Sequence, residues 1–338
     1  MRFFTTISAL AICAATAVAA QDKVELVYSD TVQEGDIRTT TLRKEFGECL
    51  GDGFDFKSYH GATLFKQGTE LTAMQRGNLD MGNLAIFDFY NQVPATKILG
   101  TPFMYRDYEH MRAVWDSGVL DDLLAEIEEK AQVKVLANPY IGARHLGYKG
   151  DKEIMTPEDL DGVKLRMPPG EGWQLVGRAM GATTVPVPFT EVYTALQTGA
   201  IDAQDNGFPA TNSMRFNELI THMALTNHLI AANEFVISQS KWDSLTPEQQ
   251  ERVQMCADRF EAAIDAETLR LENEIQGQFA EQGIDIYTPD LAAFQSHAID
   301  MYMNSDEAIS LVQAMLESDP DQDNRTMALR TMTRLNQQ

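Results

Sequence analysis

One segment near the carboxyl end of the chain predicts a single helix of about 35 residues. Thr246-Pro247-Glu248-Gln249 reads as a capping box with proline at the first helical position, and Gly283 ends the segment. Apolar residues recur between them at spacings of four or seven: Val253, Phe260, Ile264, Leu271, Ile275 and Phe279. Such a helix is ~50 Å long, too long for one small domain. It favours a strut that spans two domains; two helices with a bend remain an alternative, and a coiled-coil partner is less favoured because charges interrupt the apolar face.

The first twenty residues predict a secretory signal peptide. Arg2 is followed by an apolar run from Ile7 to Val18, and cleavage is expected near Ala20. A membrane anchor or a first core helix is less favoured, because the run is alanine-rich and shorter than the ~20 apolar residues that span a bilayer. Cys13 follows Ile12, where a lipoprotein signal needs a small residue, so we expect no lipid anchor and no other membrane attachment.

The chain is strongly acidic. It has 50 Asp and Glu residues against 27 Lys and Arg, a net charge of -23 that becomes about -24 when Arg2 is removed with the signal. Such a surface repels nucleic acid and anionic lipid, so we expect neither as a partner.

Length and cysteine content set further limits. About 318 of the 338 residues remain after cleavage, and chains of this size usually divide their core between two domains. Cys49 and Cys256 are then the only cysteines, too few for a zinc site. An oxidising compartment permits a disulfide between them. Two separate, small buried residues are the slightly favoured interpretation, because their distance in sequence does not establish a bond.

Apolar patterns alternate between strand and helix along the first half of the chain. Strands are predicted at 23–30, 54–60, 79–87 and 133–140, and helices at 31–50, 70–76 and 107–132. A second unit, from about Gly142 to Leu225, has a strand that leads from Val163 to Arg166, an extended stretch at 183–189 and a short strand and turn at 200–209. Short helices are predicted at 172–180 and 191–197. This alternation predicts α/β domains with mainly parallel sheets.

A search for catalytic motifs is negative. The chain has no G-x-S-x-G, P-loop, G-x-G-x-x-G or H-E-x-x-H motif, and its six histidines have no metal-ligand spacing. His222 and His228 flank a strand-like segment and are expected to be ordinary surface or hinge residues. We therefore expect no enzyme activity, no metal and no cofactor.

The segment VKLRMPPGEGW, Val163 to Trp173, places Arg166 at the end of an apolar strand, just before Pro168 and Pro169. Two interpretations are open. Arg166 pairs with an internal acid such as Asp159 or Asp161, which composition alone favours. Alternatively it binds a ligand carboxylate, whose two oxygens match the paired N–H donors of a guanidinium.

Three segments give the sequence a family resemblance: IGARHLGYKGDKEIMTPEDLDGVKLRMPP, PVPFTEVYTALQTGAIDAQDNGFP and LTNHLI. In this order they resemble the DctP-type solute receptors of TRAP transporters. The resemblance covers nearly the whole mature chain. It implies a periplasmic-binding-protein-like α/β fold, in which two lobes enclose a ligand cleft and a long helix braces both. Lobe I is expected at 21–141 with about 230–268, and lobe II at 142–229 with about 269–338.

The resemblance also implies a ligand site for a small organic carboxylate. Arg166 of the LR-x-P element would form a two-pronged salt bridge with the carboxylate, and Arg144 would also face the ligand. Asn206 would hydrogen-bond it, with helix capping near Pro209 as the alternative, and Phe189 would pack on it. Phe208 completes the lobe II set.

Lobe I supplies specificity in this family. The candidate positions are Ser29, Asp30, Lys66, Gln67, Phe87 and Asp88. The run Phe65-Lys66-Gln67-Gly68 departs from the Gly-Gly-Glu-Arg-like run of many relatives. In lobe II, Trp173 is a candidate cleft wall, and Glu171 a candidate partner for a ligand cation or an arginine. Acids facing the pocket would favour a zwitterion such as an amino acid; otherwise a hydroxy or keto acid or a sugar acid is favoured.

The predicted function is therefore that of a monomeric periplasmic receptor, which delivers its ligand to TRAP membrane subunits driven by an ion gradient. A receptor for an ATP-driven importer or a sensor is the alternative. A secreted α/β enzyme is less favoured, because no catalytic group is evident.

Overall fold

The computed structural model describes residues 23–303, which form two α/β units, each built on one mixed sheet. The predicted signal peptide and the end of the expected lobe II lie outside the described residues. Within this range, no helix is both long and apolar enough to cross a membrane. The expected two-lobed α/β architecture is thus confirmed, while the predicted lobe boundaries stay a prediction.

Eleven strands form the two sheets. They are β1 (Val24–Ser29), β2 (Phe54–Tyr59), β3 (Met81–Leu84), β4 (Val133–Ala137), β5 (Tyr140–Tyr148), β6 (Lys164–Met167), β7 (Thr183–Pro186), β8 (Ala203–Asn206), β9 (His222–Ala232), β10 (Glu234–Ser238) and β11 (Asp285–Tyr287). The sheet of lobe I has the order β2-β1-β3-β10-β4, and that of lobe II has the order β11-β9-β5-β8-β6-β7.

The sheets are less parallel than the sequence predicts. β1 is parallel to β2 and β3, and β6 is parallel to β7 and β8. β10 is antiparallel to both of its neighbours, and β5 is antiparallel to β8 and β9. The antiparallel strands β5, β9 and β10 are those that were not predicted in full. They flank the crossings between lobes, where the chain returns without an intervening helix.

In the described part of the chain, eleven helices surround the sheets. They are α1 (Ile37–Thr41), α2 (Glu48–Leu50), α3 (Glu70–Gln75), α4 (Tyr108–Asp116), α5 (Asp121–Ala131), α6 (Glu171–Ala179), α7 (Val192–Thr198), α8 (Phe208–Ser213), α9 (Gln239–Ser244), α10 (Pro247–Glu281) and α11 (Leu291–Met303). A π-helical turn, Leu42–Gly47, joins α1 to α2. Short 3-10 turns lie at Ile86–Phe89, Pro94–Ile98, Pro157–Leu160, Phe189–Glu191 and Phe216–Glu218.

Predicted helices differ from the structure in their bounds. The helix predicted over 31–50 begins only at Ile37 and contains the π-helical turn. The helix predicted over 107–132 is divided into α4 and α5, and Gly118 between them has a φ of 80°, which interrupts a right-handed helix.

The strut predicted from the sequence is one continuous helix, α10, of 35 residues with the predicted capping box at Thr246. Its first half packs in the core of lobe I, where the Phe260 and Phe235 ring centroids lie 5.2 Å apart. Its second half packs in the core of lobe II, where Phe279 lies 5.7 Å from Phe208. The helix therefore belongs to both lobes, and the alternative of two bent helices is excluded.

The strands cross between the lobes at two adjacent places, Asn138–Pro139 and Asn233, where the Asn233 N–H donates to the Pro139 carbonyl at 3.1 Å. Carboxylates of α10 hold the first crossing and the start of β5. Glu261 accepts the N–H of Asn138 at 2.7 Å. Asp265 accepts the N–H of Tyr140 at 2.7 Å, and Glu272 accepts that of Ala143 at 2.6 Å.

Cys49 and Cys256 form a disulfide that joins α2 to α10. The slightly favoured interpretation of two separate buried cysteines is therefore wrong. Sequence separation gave no sign of the bond, because only the packing of α2 against α10 brings the two residues together.

We expect reduction of this disulfide to lower the free energy of unfolding by about 2–5 kcal/mol, because the bridge closes a long loop in the unfolded chain. Urea unfolding of the wild-type protein with and without reductant measures this loss. A Cys49→Ala/Cys256→Ala variant is the control and should not respond to reductant. Identical transitions of the oxidised and reduced wild type would contradict the prediction.

Candidate ligand-binding site

The two lobes contact each other across a cleft beside the crossings. The Gln67 Oε1 atom of lobe I accepts the N–H of Phe189 of lobe II at 2.8 Å. Ser213 Oγ donates to Asp36 Oδ2 at 2.7 Å. The structure therefore shows the two lobes in contact.

A pocket with about 410 Å³ of free volume, part of it open to solvent, lies in this cleft. Lobe II contributes Pro169 and Trp173, from the segment that follows β6. The polar wall comes from lobe I and the second crossing: Thr31, Gln67, Glu70, Asn83, Asp88 and Asn233. Of the sequence candidates, Gln67, Asp88 and Trp173 thus line one pocket, whereas Glu70, Asn83 and Asn233 were not predicted.

Arg166 lies on β6 and is fully buried. Its Nε donates to the Val187 carbonyl at 2.7 Å, while its NH2 nitrogen has no hydrogen-bond partner among the described residues. Burial lowers the pKa of Arg166 to about 9, although the charge of Asp205 opposes this shift. Neither Asp159 nor Asp161 pairs with it: Asp159 caps its own turn. Arg166 is therefore a buried cation whose NH2 nitrogen has no partner in the described part of the chain, and it is not among the residues that line the pocket.

Arg144, on β5, is neutralised within lobe II. Its Nε donates to Asp205 Oδ2 and its NH2 to Asp205 Oδ1, both at 2.9 Å. Burial alone would raise the pKa of Asp205, but Arg144 and His228 lower it to about 2. The guanidinium carbon of Arg144 lies 4.8 Å from the centroid of the Trp173 ring. Arg144 therefore supports the cleft wall through this contact.

His228 is also part of this cluster. Its Nε2 lies 3.1 Å from Asp205 Oδ2, and its Nδ1 lies 2.8 Å from the Thr226 hydroxyl. The expectation of a surface or hinge residue is wrong for His228, which is buried in lobe II. Nearby, burial together with His228 lowers the pKa of His145 to about 3, so this ring is neutral at physiological pH.

Asn206 and Phe189 lie beside the arginines. Asn206 is buried on β8, and its Nδ2 donates to Gln204 Oε1. The cap of α8 is Gly207 without a side-chain hydrogen bond, so the capping alternative for Asn206 is wrong. The Phe189 ring lies 5.8 Å from the Arg166 guanidinium carbon and 5.9 Å from that of Arg38, a lobe I residue that the sequence did not single out.

Two lobe II candidates lie away from the pocket. The side chain of Glu171 is 79% exposed and pairs with Arg178 at 2.7 Å on the surface. Phe208 is buried between His145 and Phe279 in the lobe II core. The structure therefore gives Glu171 a surface ion pair and Phe208 a packing role.

The lobe I wall contains two acids with raised pKa values. Burial raises the pKa of Glu70 to about 7, with a smaller contribution from the charge of Asp88. Burial also raises the pKa of Asp88 to about 6. Asp88 Oδ2 accepts the N–H of Ala85 at 3.0 Å, which is the helix-cap role that the sequence offered as an alternative. Glu70 is the first residue of α3, and Asp88 lies in the 3-10 turn Ile86–Phe89. From the sequence alone, an acid at such a position is interpreted as a helix cap.

The remaining lobe I candidates occupy different environments. Asp30 is buried and accepts hydrogen bonds from the Tyr28 hydroxyl at 2.8 Å and the Val32 N–H at 3.2 Å. Ser29 is buried, Lys66 is exposed, and Phe87 stacks on Trp173 with ring centroids 4.0 Å apart. No cluster of three or more potential metal ligands occurs between residues 23 and 303.

Comparison with known proteins supports the family resemblance seen in the sequence. The family model described as bacterial extracellular solute-binding protein, family 7 (DctP) matches residues 27–307. A solute-binding protein of Roseobacter denitrificans is 30% identical over 93% of this chain and 99% of its own length. The sialic acid-binding periplasmic protein SiaP of Vibrio cholerae is 25% identical over 90% of this chain and 94% of its own.

Solved structures of TRAP periplasmic solute-binding proteins have a similar fold. A TRAP periplasmic solute-binding protein of Roseobacter denitrificans, with bound 3-deoxy-D-manno-oct-2-ulosonic acid, has a TM-score of 0.83 and 35% identity. The match covers 87% of this chain and 99% of that one. A second from the same organism, with bound L-galactonate, has a TM-score of 0.79 and 28% identity, over 86% of this chain and 99% of that one.

The raised pKa of Glu70 predicts that the protein loses stability as the pH rises. Between pH 5 and 7 the folded protein retains a proton that the unfolded chain, with an ordinary pKa near 4.3, has lost. The contribution of Glu70 to stability is therefore lost as pH rises through about 7. We expect Glu70→Gln to reduce the loss of stability between pH 5 and pH 8 by about 2–3 kcal/mol.

Urea unfolding of the ligand-free protein at the two pH values measures this difference. Glu171→Gln, at the exposed surface carboxylate, is the matched control and should leave the pH dependence unchanged. A pH dependence unchanged by Glu70→Gln would show that Glu70 is already ionised at pH 5.

Proposed function

The chain belongs to family 7 of the bacterial extracellular solute-binding proteins, the DctP family, and from this premise we propose that its cleft binds a sugar acid. In this proposal Arg166 binds the ligand carboxylate, and the polar wall of lobe I binds the hydroxyl groups. The receptor role and the association of the family with TRAP membrane transport follow from membership, so the predicted family is confirmed.

The observation that carries the proposal is the buried NH2 nitrogen of Arg166, which has no partner between residues 23 and 303. A buried charge without a partner is costly by several kcal/mol, and a bound carboxylate removes this cost by supplying two acceptor oxygens. Val187 already orients the guanidinium through Nε, so little conformational entropy is lost when the anion binds.

The lobe I wall supports a hydroxylated ligand. Asn83 Oδ1 is a buried acceptor without a partner among the described residues, and Asp88 and Glu70 line the same pocket. Burial raises the pKa of Glu70 to about 7 and that of Asp88 to about 6, so at pH 7 Glu70 is partly protonated and Asp88 is mainly ionised. A protonated carboxyl group both donates to and accepts from hydroxyls, and an ionised one accepts from them. The two Roseobacter proteins with bound sugar acids share 35% and 28% identity with this chain, which agrees with this ligand class.

The cellular role extends the family assignment. We propose that the protein is exported, with cleavage near Ala20, and works as a free monomer in the periplasm without catalysis. It would deliver its ligand to ion-gradient-driven TRAP membrane subunits. The family match favours this role over an ATP-driven importer, a sensor or a secreted enzyme. The acids in the pocket keep an amino-bearing carboxylate as the second ligand class, to be decided by binding.

We expect Arg166→Met to weaken binding of a sugar acid by at least about 100-fold, because the ligand carboxylate would then be buried without its partner. Thermal shift and calorimetry with sugar acids, dicarboxylates and amino acids measure this. At free ligand of one hundred times the dissociation constant, the wild type should gain about 2.7 kcal/mol of stability.

Arg178→Met is the control, because it removes a lobe II arginine whose partner is the exposed Glu171. It should bind like the wild type. The ligand-free Arg166→Met protein should be no less stable than the wild type, since an apolar side chain replaces an unpaired buried charge. Full affinity in Arg166→Met would contradict the carboxylate role, and selective stabilisation by amino acids would contradict the sugar acid class.

A further inference from the structure

Two aromatic residues of lobe I pack directly on the first turn of α6 in lobe II. Phe87 lies in the 3-10 turn Ile86–Phe89 and Tyr90 follows that turn, and the ring centroids of Phe87 and Trp173 lie 4.0 Å apart. At Gly172, a Cβ atom would lie 2.4 Å from the Tyr90 ring and 2.8 Å from the Phe87 ring. Carbon atoms in contact normally lie about 3.5–4.0 Å apart. The missing side chain of Gly172 therefore allows α6 to lie this close to lobe I.

A loop of lobe I makes a further contact with lobe II at Phe103. The Phe103 ring packs against the apolar cluster of lobe II that contains Leu165, whereas nearby Tyr105 packs in the lobe I core. The N–H of Phe103 donates to the His228 carbonyl at 2.7 Å. Phe103 has a φ of 63°, a left-handed conformation that is unfavourable for a bulky side chain. Such strain persists only where surrounding contacts hold it, and these contacts come from the other lobe.

We propose that the two contacts form an interlobe clasp, made of Phe87, Tyr90 and Phe103 of lobe I against Gly172 and the His228 backbone of lobe II. The clasp holds the lobes together around a bound ligand and sets how long the ligand stays, without selecting which ligand binds. This inference rests on the proposed function. It makes Gly172 and Phe103 positioning residues, which act on the ligand through the contact between lobes.

The clasp can separate because the lobes are joined through the two strand crossings and α10. Rotation about such a hinge moves whole lobes while each core stays packed. Separation exposes the apolar faces of Phe87 and Tyr90 to water, which favours the joined form. The strain at Phe103 acts in the opposite direction, because its backbone relaxes once lobe II no longer holds it. The balance of these two effects sets the rate at which the cleft opens.

Trp173 connects the clasp to the cleft. Its ring stacks on Phe87 of lobe I and lies 4.8 Å from the guanidinium carbon of Arg144 in lobe II. Trp173 also lines the cleft pocket. A ligand that contacts both lobes in this pocket therefore favours the same arrangement of the lobes as the clasp does, and the clasp in turn slows its release.

A methyl group added at Gly172 tests the clasp. We expect Gly172→Ala to raise the dissociation rates of D-galacturonate and of 3-deoxy-D-manno-oct-2-ulosonic acid at least about 10-fold, while the association rates change less than about 3-fold. Both acids should be affected equally, within about 2-fold, because the variant changes the population of the joined form and no ligand contact. Stopped-flow tryptophan fluorescence measures the rates. Gly277→Ala, at an exposed α10 glycine with no atom within 4 Å of the added Cβ, is the matched control and should leave them unchanged.

Two further variants and measurements separate the clasp from a role in folding. Ligand-free Gly172→Ala should unfold at no lower urea concentration than the wild type, because the added methyl group meets rings of the other lobe. Phe103→Ala, which removes the ring that packs on lobe II, should also raise both dissociation rates, by at least about 3-fold.

The possible outcomes are distinct. Dissociation rates in Gly172→Ala equal to those of Gly277→Ala, an effect on one acid alone, or a less stable ligand-free Gly172→Ala protein would overturn the clasp and leave the sugar acid receptor intact. Failure of the wild type to bind either acid would overturn the proposed ligand class, and with it the role of the clasp in retaining that ligand.

Discussion

The arrangement of the two lobes depends on hydrogen bonds between one long helix and the strands that cross between lobes. Glu261, Asp265 and Glu272 of α10 accept the N–H groups of Asn138, Tyr140 and Ala143. These three acceptors span eleven positions of one rigid helix, from Glu261 to Glu272, and they therefore fix the path of the first crossing. Burial raises the pKa of Asp265 and Glu272, so these carboxylates need the N–H donors as much as the backbone needs them. The cleft and its walls follow from this attachment.

Charge in the cleft is distributed unevenly between the lobes. Lobe II provides Arg166 with a free donor, while Asp205 neutralises the neighbouring Arg144. Lobe I provides Glu70 and Asp88, whose raised pKa values reflect burial. A ligand with a carboxylate at one end and neutral hydroxyls at the other matches both walls when the lobes meet. Gln67 contacts Phe189 and Asp36 contacts Ser213, so the two lobes touch in this structure.

Much of the fold could be predicted from the sequence, because its signals are local. The capping box at Thr246 and the recurrence of apolar residues gave the length of α10 correctly. The antiparallel strands β5, β9 and β10 were missed in part, because their pairing depends on where the chain crosses between lobes. The disulfide was missed for the same reason. The family motif predicts Arg166, Asn206 and Phe189 as ligand residues, and this stays a prediction. Asn83 and Asn233 have no local signal, because only the fold brings them to one pocket.

The most direct test of the account compares a sugar acid with its methyl ester, which keeps the hydroxyls and removes the negative charge. Calorimetry on the wild type and on Arg166→Met measures both affinities. The account predicts that the ester binds the wild type at least about 100-fold more weakly than the acid, and that Arg166→Met no longer distinguishes them. An ester that binds the wild type as tightly as the acid would show that Arg166 does not hold the carboxylate.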